Sequence, residues 1–282
     1  MSHGRAIPLW QEGVQFNATT RRNAVDGVVE SDVVIVGGGY TGLWTAFYLK
    51  QLAPQLSISL VESQFVGFGG SGRNGGWCSA FLPMSPNEMS AEHGAQAMRF
   101  LQDQMFATVD EIARVAQTHN IACDFHKGGT ITSASNPAHV ERLHHYIDDW
   151  HAAGFSNIDM TWESAEQISQ RIHVSSTLGG MYSPHCAVVN PWKLVTGLAR
   201  TVESLGVMIF EDSRALAIHW GWSGPRGGRG RPPPRAGGYR APPTCAATSP
   251  TPGSPSGTAK ASRNNPRGAA RRAANPDRWR SC

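Results

Sequence analysis

The sequence lacks the features that mark several common protein classes. Only 16% of its 282 residues are charged, which argues against a coiled coil or a polyelectrolyte. It has no apolar run of the roughly 18 residues that span a bilayer, and its first 30 residues hold no apolar block typical of a signal peptide. It also lacks GxSxG, HExxH and Walker motifs, so hydrolase and kinase functions have no support. What remains is one or two soluble globular domains.

Cysteine is scarce and is not arranged in metal-binding or disulfide patterns. The number of cysteines is odd and none form a CxxC pair, which argues against a disulfide framework or a zinc site and favours a reducing cytoplasm. Histidines are clustered on one predicted helix, but only His144 and His151 share a helix face, so we expect a solvated helix and no metal site. The residues concerned are Cys78, Cys123, Cys186, Cys245 and Cys282, and His139, His144, His145 and His151.

The C-terminal 62 residues contain no isoleucine, leucine, valine, methionine or phenylalanine. They carry 11 arginines and one lysine against a single acid, Asp277, together with 11 prolines and 10 glycines. Their net charge is therefore +11, and the net charge of residues 1–220 is −7, although the whole chain is only +4. Such a segment cannot bury enough apolar surface to offset its chain entropy, so residues 221–282 are predicted to be a disordered basic tail.

Two origins of this tail compete with a simple linker. The Arg-Gly stretch at 225–230 is typical of segments that bind RNA through phosphate charge and guanidinium stacking. Alternatively, arginine, proline, glycine and alanine are what GC-rich DNA encodes when it is read out of frame, and the change is abrupt after the strand-like residues 215–220. We expect the second origin, a truncation or frameshift after about residue 220, and consider nucleic-acid binding the lesser alternative.

A nucleotide-binding pattern opens the globular part. The β-branched run at 31–36 is typical of a central parallel strand buried on both faces. It leads directly into Gly37, Gly39 and Gly42 in a GxGxxG frame, followed by a helical stretch at 43–52. The first glycine permits a tight turn, the second lets the backbone approach a pyrophosphate, and the third lets helix and strand pack closely. This order predicts a Rossmann-type dinucleotide site.

A carboxylate follows at the expected distance. A second strand, residues 57–61, ends at Glu62, which lies 20 residues after Gly42, the spacing at which an acid receives a ribose hydroxyl. The carboxylate would repel a 2′-phosphate, which disfavours NADP. The motif alone leaves NAD and FAD open.

A glycine-rich loop then favours a flavin. Residues 67–76 hold six glycines, with Ser71, Arg73 and Asn74 between them. Backbone donors of such a loop can lie against a flat polar ring system, and a guanidinium can bind anionic oxygens. A flexible surface loop is the plainer alternative.

These motifs together resemble a known family. DVVIVGGGYTGLWTA at 32–46, the strand ending in Glu62 and GFGGSGRNGG at 67–76 are similar to the D-amino-acid-oxidase-like FAD-dependent oxidoreductases. The branch that contains γ-glutamylputrescine oxidase is the most similar one. Residues 190–199 resemble the helix that returns the chain to the FAD domain, and residues 206–218 resemble the adenine-side strand. The resemblance covers about residues 30–220, with Gly70 where the family often has alanine.

The resemblance implies an FAD enzyme that oxidises the C–N bond of a small-molecule amine or amino acid. Flavin N5 accepts a hydride and the resulting imine hydrolyses. No catalytic side chain is singled out, because the flavin carries the hard step. The implied cofactor contacts are Gly37, Gly39, Thr41 and Gly42 at the pyrophosphate, Glu62 at the ribose, Ser71 at the phosphate or ribitol, Arg73, Asn74, Gly75 and Gly76 near the isoalloxazine, and Ala215 at adenine.

We therefore expect an α/β fold: an incomplete Rossmann-type FAD-binding domain with an α+β substrate-domain insertion and a disordered basic tail. The expected segments are a lead at 1–30, the βαβ unit and glycine loop at 31–80, the substrate-domain portion at 81–186, the return at 187–220 and the tail at 221–282. Without later strands we expect poor solubility and little activity. A nonenzymatic fragment and an RNA-binding protein are the alternatives.

Overall fold

The computed structural model describes residues 9–11 and 21–219, together with the backbone of residues 244–247. In chain order the strands are β1 Val33–Val36, β2 Ile58–Val61, β3 Trp77–Ser79, β4 Thr130–Ala134, β5 Thr161–Ser164, β6 Gly179–Ser183, β7 Cys186–Val188, β8 Val207–Phe210, β9 Ala215–His219 and β10 Thr244–Ala247. The helices are α1 Tyr40–Leu52, α2 Pro86–His93, α3 Ala95–Thr118, α4 Pro137–Ala152, α5 Ala165–Arg171 and α6 Pro191–Ser204.

Three short parallel strands form the first sheet, in the order β1-β2-β8. All four residues of β2 are buried, as expected for the middle strand. The βαβ unit predicted at 31–61 is confirmed, because α1 connects β1 to β2 in parallel register. The expected α/β class is confirmed with it.

The expectation that the β-branched run at 31–36 forms a central strand buried on both faces is wrong for the part of the chain that the structure describes. Here β1 pairs only with β2, its first three residues are half-buried, and the Val36 side chain is 51% exposed. The pattern correctly predicts a strand but not its place in the sheet. Burial of both faces depends on neighbouring strands and helices that pack against the strand.

The first core lies between this sheet and two helices. α1 buries Leu43, Ala46 and Phe47, and α6 buries most of one face, including Val195 and Leu198. α6 begins where the sequence predicts a returning helix: the Asn190 side chain accepts the backbone N–H of Lys193, and proline occupies the first helical position.

A second core lies under a three-stranded antiparallel sheet ordered β4-β6-β5 and a two-stranded pair β3-β7. Its largest side chains are aromatic or sulfur-containing, among them Phe106, Trp150, Met160 and Met181. α3 crosses from one core to the other, since Met98 and Phe106 belong to the second core and Val115 and Ala116 belong to the first.

The middle segment is interrupted in several places. Ser85 forms a capping box at the start of α2, and the helical region breaks at Gly94, whose φ of 88° separates α2 from α3. Ahead of β4, residues 124–129 form only a single bridge, between His126 and Val188, and regular pairing begins at Thr130. The strand expected from Gly206 to Ile218 is split into β8 and β9 by a turn at Asp212, which has a φ of 50°.

Most of the predicted tail lies outside the described residues. Within it, β10 pairs in antiparallel register with β9. The disorder expected for residues 221–282 and the RNA-binding role of the Arg-Gly stretch therefore stay predictions. In the described part of the chain, no helix is long and apolar enough to cross a membrane.

Candidate functional site

The turn between β1 and α1 has the backbone geometry that the glycine frame predicts. Gly37 has a φ of 107° and donates its N–H to the Val61 carbonyl at 2.8 Å. A Cβ on Gly42 would lie 2.1 Å from the Gly37 oxygen and 3.2 Å from the Ile35 side chain. Only glycine at 42 allows the first turn of α1 to approach β1 this closely.

The start of α1 presents unused backbone donors. Gly39 is the N-cap and has no side chain to cap the helix. The Tyr40 N–H is taken by the Ser71 hydroxyl oxygen at 2.9 Å, while the N–H groups of Thr41 and Gly42 have no acceptor among the described residues. First-turn N–H groups and the positive end of the helix dipole together favour a bound anion such as a pyrophosphate.

Glu62 lies beside this turn at the carboxyl end of β2. Its Oε2 accepts the Gly38 N–H at 2.8 Å, and its Oε1 accepts the Gln64 N–H at 2.9 Å. A carboxylate offers about four lone-pair sites, so Oε2 retains capacity for a hydroxyl donor. The Glu62 carboxylate, which is predicted to bind the ribose, is therefore held in place by the backbone N–H groups of Gly38 and Gln64.

The glycine loop packs against the same turn. The Gly67 N–H donates to the Gly38 carbonyl at 3.0 Å, and Gly70–Gly72 form a 3-10 turn that brings Ser71 to the start of α1. A Cβ on Gly39 would lie 2.9 Å from the Ser71 oxygen. Because that oxygen accepts the Tyr40 N–H, its own hydroxyl proton stays available to a phosphate oxygen.

The second half of the loop is shaped by Asn74. Its amide nitrogen donates to the carbonyls of Gly70 and Ser71, and its Oδ1 accepts the Gly76 N–H at 2.9 Å. The predicted flavin-side amide is thus used within the loop. Gly75 beside it is open, since a Cβ there would meet nothing within 4 Å.

Arg73 remains available at the surface of the loop. Its guanidinium lies 4.4 Å from the centre of the Phe68 ring, and it forms no ion pair with any residue that the structure describes. An unpaired, stacked guanidinium can bind an anionic or carbonyl oxygen.

Ala215 begins β9, which pairs with β10 and is not a strand of the parallel sheet. Two residues earlier, the Ser213 N–H donates to the Glu62 carbonyl at 2.8 Å. A backbone contact from Ala215 to adenine therefore stays a prediction.

Two half-buried protic groups near the loop, Tyr40 and Cys78, have raised pKa values. Burial raises the pKa of the Tyr40 hydroxyl above its ordinary value, and that hydroxyl donates to the Pro191 carbonyl at 3.0 Å. Burial likewise raises the pKa of the Cys78 thiol. A protonated thiol is a poor nucleophile.

The histidines considered as metal ligands make other contacts. His144 stacks on Trp162 with ring centres 4.3 Å apart, and the His151 Nε2 lies 3.0 Å from the Met160 carbonyl oxygen. The described residues contain no group of three or more histidine, cysteine or acidic side chains placed to hold a metal ion.

Sequence reasoning missed several residues that build the site. Gly38 holds Glu62 through its N–H, and Tyr40 holds Ser71 through its own. Gly67 has a φ of 76° and packs so closely on α6 that a Cβ there would lie 2.6 Å from the Val195 side chain. The GxGxxG frame and the loop glycines carry no signal for these pairings, because each joins residues at least 24 positions apart or depends on a buried helix.

These residues fit an ADP-bearing cofactor. The cradle between Gly39 and Ser71 has no room for a side chain, two helix-start donors lack an acceptor in the described part of the chain, and the Glu62 carboxylate lies beside the turn. The glycine loop continues from this cradle to an open, exposed stretch at Arg73 and Gly75.

Comparison with known proteins identifies relatives. A family model described as FAD dependent oxidoreductase, DAO, matches residues 32–234. Gamma-glutamylputrescine oxidoreductase of Escherichia coli strain K12 is 26% identical over 190 residues, which are 67% of this chain and 43% of that protein. L-2-hydroxyglutarate dehydrogenase of the same strain is 24% identical over 192 residues, 67% of this chain and 41% of that protein.

The fold has solved counterparts. Glycine oxidase from Geobacillus kaustophilus superposes with a TM-score of 0.52 at 23% identity, over 69% of this chain and 50% of that one. At this identity the likeness concerns the fold. The chain spans less than half the length of the curated relatives it matches.

Proposed function

This chain belongs to the DAO family of FAD-dependent oxidoreductases, and from that premise we propose that it binds FAD along the turn and glycine loop described above. FAD is the cofactor of this family. We propose further that the holoprotein oxidises the C–N bond of an amine or an amino acid.

One observation carries the proposal: the Tyr40 N–H bonds the Ser71 hydroxyl at 2.9 Å while the N–H groups of Thr41 and Gly42 have no partner within the described ranges. This contact joins the GxGxxG turn to the glycine loop, two segments that would otherwise be separate glycine-rich stretches. Their junction makes a continuous surface of donors along which a dinucleotide could lie from its ribose to its flavin end.

Each residue then has a role set by its own geometry. The N–H groups of Gly39, Thr41 and Gly42 would hold the pyrophosphate, with Gly37 forming the turn beneath it. Glu62 would accept the adenosine ribose hydroxyls, and Ser71 would donate to a phosphate oxygen.

The second half of the loop, residues 73–76, would orient the isoalloxazine. Asn74 would fix the loop, Arg73 would offer its charge to an oxygen of the isoalloxazine or the substrate, and Gly75 and Gly76 would let the backbone lie against the ring. Bound FAD supplies a two-electron acceptor for the substrate carbon that bears nitrogen. No side chain of the described residues is assigned as an acid or base in that step.

The choice of an amine or amino acid rests on the family and on one relative. The name of gamma-glutamylputrescine oxidoreductase contains an amine-derived compound. The name of L-2-hydroxyglutarate dehydrogenase, which is 24% identical, contains a hydroxy acid. The slightly higher identity to the first favours C–N oxidation, and the experiment below includes both substrate classes.

The test uses the 282-residue chain incubated with FAD and freed of excess cofactor. We expect retained flavin absorbance, and its slow bleaching under anaerobic conditions by a diamine, a γ-glutamyl amine or an α-amino acid. A chain that retains no flavin would overturn FAD binding. Bleaching by a 2-hydroxy acid alone would overturn the assignment of C–N chemistry while leaving FAD binding intact.

The rate of bleaching also measures how active this chain is. Poor activity of this chain, a cytoplasmic location and the lack of a nucleic-acid partner stay predictions. Retention of RNA that is lost at moderate salt would instead support the Arg-Gly tail as the functional element.

A further inference from the structure

We propose that two described residues of the N-terminal lead belong to the FAD site, with Trp10 positioning the flavin-side loop and Arg22 positioning the ribose-side turn. The family match begins at residue 32, so both residues lie outside it. The inference rests on the proposed function for its ligand, and on the contacts below for its geometry.

Trp10 holds the loop by a direct hydrogen bond. It lies in a 3-10 turn, Leu9–Gln11, and its indole N–H donates to the Asn74 carbonyl at 2.7 Å. Its ring borders Gly76, where a Cβ would lie 3.2 Å from the indole carbons and 2.5 Å from the Val189 carbonyl. Trp10 therefore packs on Asn74 and Gly76, two of the four loop residues expected next to the isoalloxazine.

This contact completes the pairing of the loop. Asn74 uses its side chain to fix Gly70, Ser71 and Gly76, which leaves its backbone carbonyl as the group that Trp10 binds. Gly76 in turn accepts the Val189 N–H at 2.9 Å through its own carbonyl. Removing the indole donor would take away the hydrogen bond to the Asn74 carbonyl and leave the Gly76 carbonyl bound by the Val189 N–H, between β7 and α6.

Arg22 acts on the other half of the site through a buried carboxylate. Only 3% of the Glu211 side chain is exposed, and its Oε1 accepts both the Arg22 guanidinium at 3.0 Å and the Val66 N–H at 2.9 Å. Its Oε2 accepts the Arg22 backbone N–H at 3.0 Å. A buried carboxylate is tolerated only when it is paired and hydrogen-bonded in this way.

The turn that Glu211 holds is the one that carries Glu62. The Glu62 N–H donates to the Phe210 carbonyl, and the Asp212 N–H donates to the Gln64 carbonyl. Val66 closes the same turn through Glu211. Loss of the Arg22 guanidinium would remove one of the two cations that face Glu211, which lies directly behind Glu62; the other is Arg21, whose Nε is 3.3 Å from the Glu211 Oε2.

Glu203 secures the arginine from the opposite side. Its two carboxylate oxygens accept the Arg22 Nε and Nη2 at 2.5 and 2.7 Å. Burial works to lower the pKa of Arg22, but the hydrogen bonds and charges of Glu203 and Glu211 raise it overall. Arg22 thus stays charged and ties α6, β8 and the ribose-side turn together.

The test compares two ligands, since ADP reports the ribose and pyrophosphate half and FAD reports the whole site. In the full chain we expect Trp10→Phe to weaken FAD binding about fivefold, the worth of one hydrogen bond, and to leave ADP binding unchanged. We expect Arg22→Met to weaken both ligands by at least about tenfold, and Arg22→Lys to fall between it and the wild type. Trp162→Phe and Arg114→Met are the matched controls, because Trp162 stacks on His144 and Arg114 pairs with Glu111, away from the site. Neither control should change the affinity for ADP or for FAD.

Amide hydrogen exchange in the ligand-free chain gives an independent readout. Trp10→Phe should speed exchange of the Gly76 N–H and not of the Val66 N–H, and Arg22→Met should do the reverse. Equal acceleration at both amides, or none, would overturn the positioning roles. If the wild-type chain binds neither ligand but the variants show this selective exchange, the proposed function alone is overturned. If the chain binds FAD and the variants bind it with unchanged affinity, the inference alone is overturned.

Discussion

The two cores of this protein differ in their side chains and in how their strands are connected along the chain. The first core packs aliphatic side chains such as Leu43, Leu60 and Leu198 between parallel strands and helices. The second packs methionines and aromatic rings, with Trp150 in contact with Phe81, Phe106 and Phe155, under antiparallel strands. The first begins with a βαβ unit that is continuous from residue 33 to residue 61, whereas the second joins strands that lie far apart in the chain.

The difference explains where ligand chemistry is placed. Parallel strands end at a common edge, so the first core gathers Gly37 and Glu62 at one turn without further help. The second core contributes a rigid support through α3 and the β3-β7 pair that follows the glycine loop. We expect changes in the first core to affect cofactor binding and changes in the second to affect stability first.

The largest expected effect is in the second core. Trp150 is 2% exposed and surrounded by aromatic rings, so Trp150→Ala should lower the free energy of unfolding by about 3–5 kcal/mol. Trp77, which is 60% exposed, provides the control, and Trp77→Ala should change stability by less than about 0.5 kcal/mol. Urea unfolding measures both, and a similar loss for the two variants would contradict the packing described for this core.

Substitution of Gly42, which packs at the first core, should reduce stability less than Trp150→Ala but should reduce FAD binding more. A Cβ at position 42 would overlap the Gly37 oxygen, so Gly42→Ala should cost about 1–3 kcal/mol and abolish FAD retention. Gly70→Ala is the matched control, because a Cβ there meets nothing within 4 Å. If Gly42→Ala retains FAD as the wild type does, the close turn is not needed for binding.

The two Asn-Pro helix starts allow a direct comparison between the regions. Asn136 caps α4 by accepting the His139 N–H at 3.0 Å, and Asn190 caps α6 by accepting the Lys193 N–H at 3.1 Å. Each change to alanine should cost about 1 kcal/mol in unfolding free energy, because a cap is a local interaction. Only Asn190→Ala should also weaken FAD binding, as α6 packs on the glycine loop; equal effects on FAD from both variants would argue against the division of roles.

The smallest expected effect depends on pH. Burial works to raise the pKa of Asp159, but hydrogen bonds from Ser156 and His185 lower it overall. A carboxyl whose pKa is lowered by folding stabilises the protein above its unfolded pKa of about 4, and this contribution is lost as the pH falls through the lower folded value. Asp159→Asn should therefore flatten the acid side of a plot of melting temperature against pH. An acid limb identical to that of the wild type would show that this carboxyl contributes nothing to it.

Much of the first region can be predicted from the sequence because its signals are local. The order of strand, glycines, helix, strand and Glu62 predicts both the βαβ unit and the position of the acid, and the Ser85 capping box and the Asn190 helix start are equally readable. Propensity, capping and glycine conformation act within a few residues, so one segment suffices to reveal them.

The rest depends on contacts between distant segments. β6 begins with Gly179, at a φ of 136°, and Gly180, and it lacks the alternating pattern of a strand, yet it is the middle of the antiparallel sheet. Its place is set by pairing with β4 and β5, which no local pattern encodes. The same holds for Arg22, whose partners Glu203 and Glu211 lie more than 180 residues away.

By itself, the sequence determined the kind of site this protein has: a glycine frame, a carboxylate and a glycine loop specify a dinucleotide cradle because each acts on its own backbone. Only the tertiary structure decided which groups are left free to bind and which are already used. Asn74 is used within its loop, Thr41 and Gly42 keep donors that no described residue occupies, and Trp10 joins the site from a segment that carries no motif. The physical reason is that hydrogen-bond donors and acceptors are limited in number, and which of them are satisfied depends on packing between residues far apart in the chain.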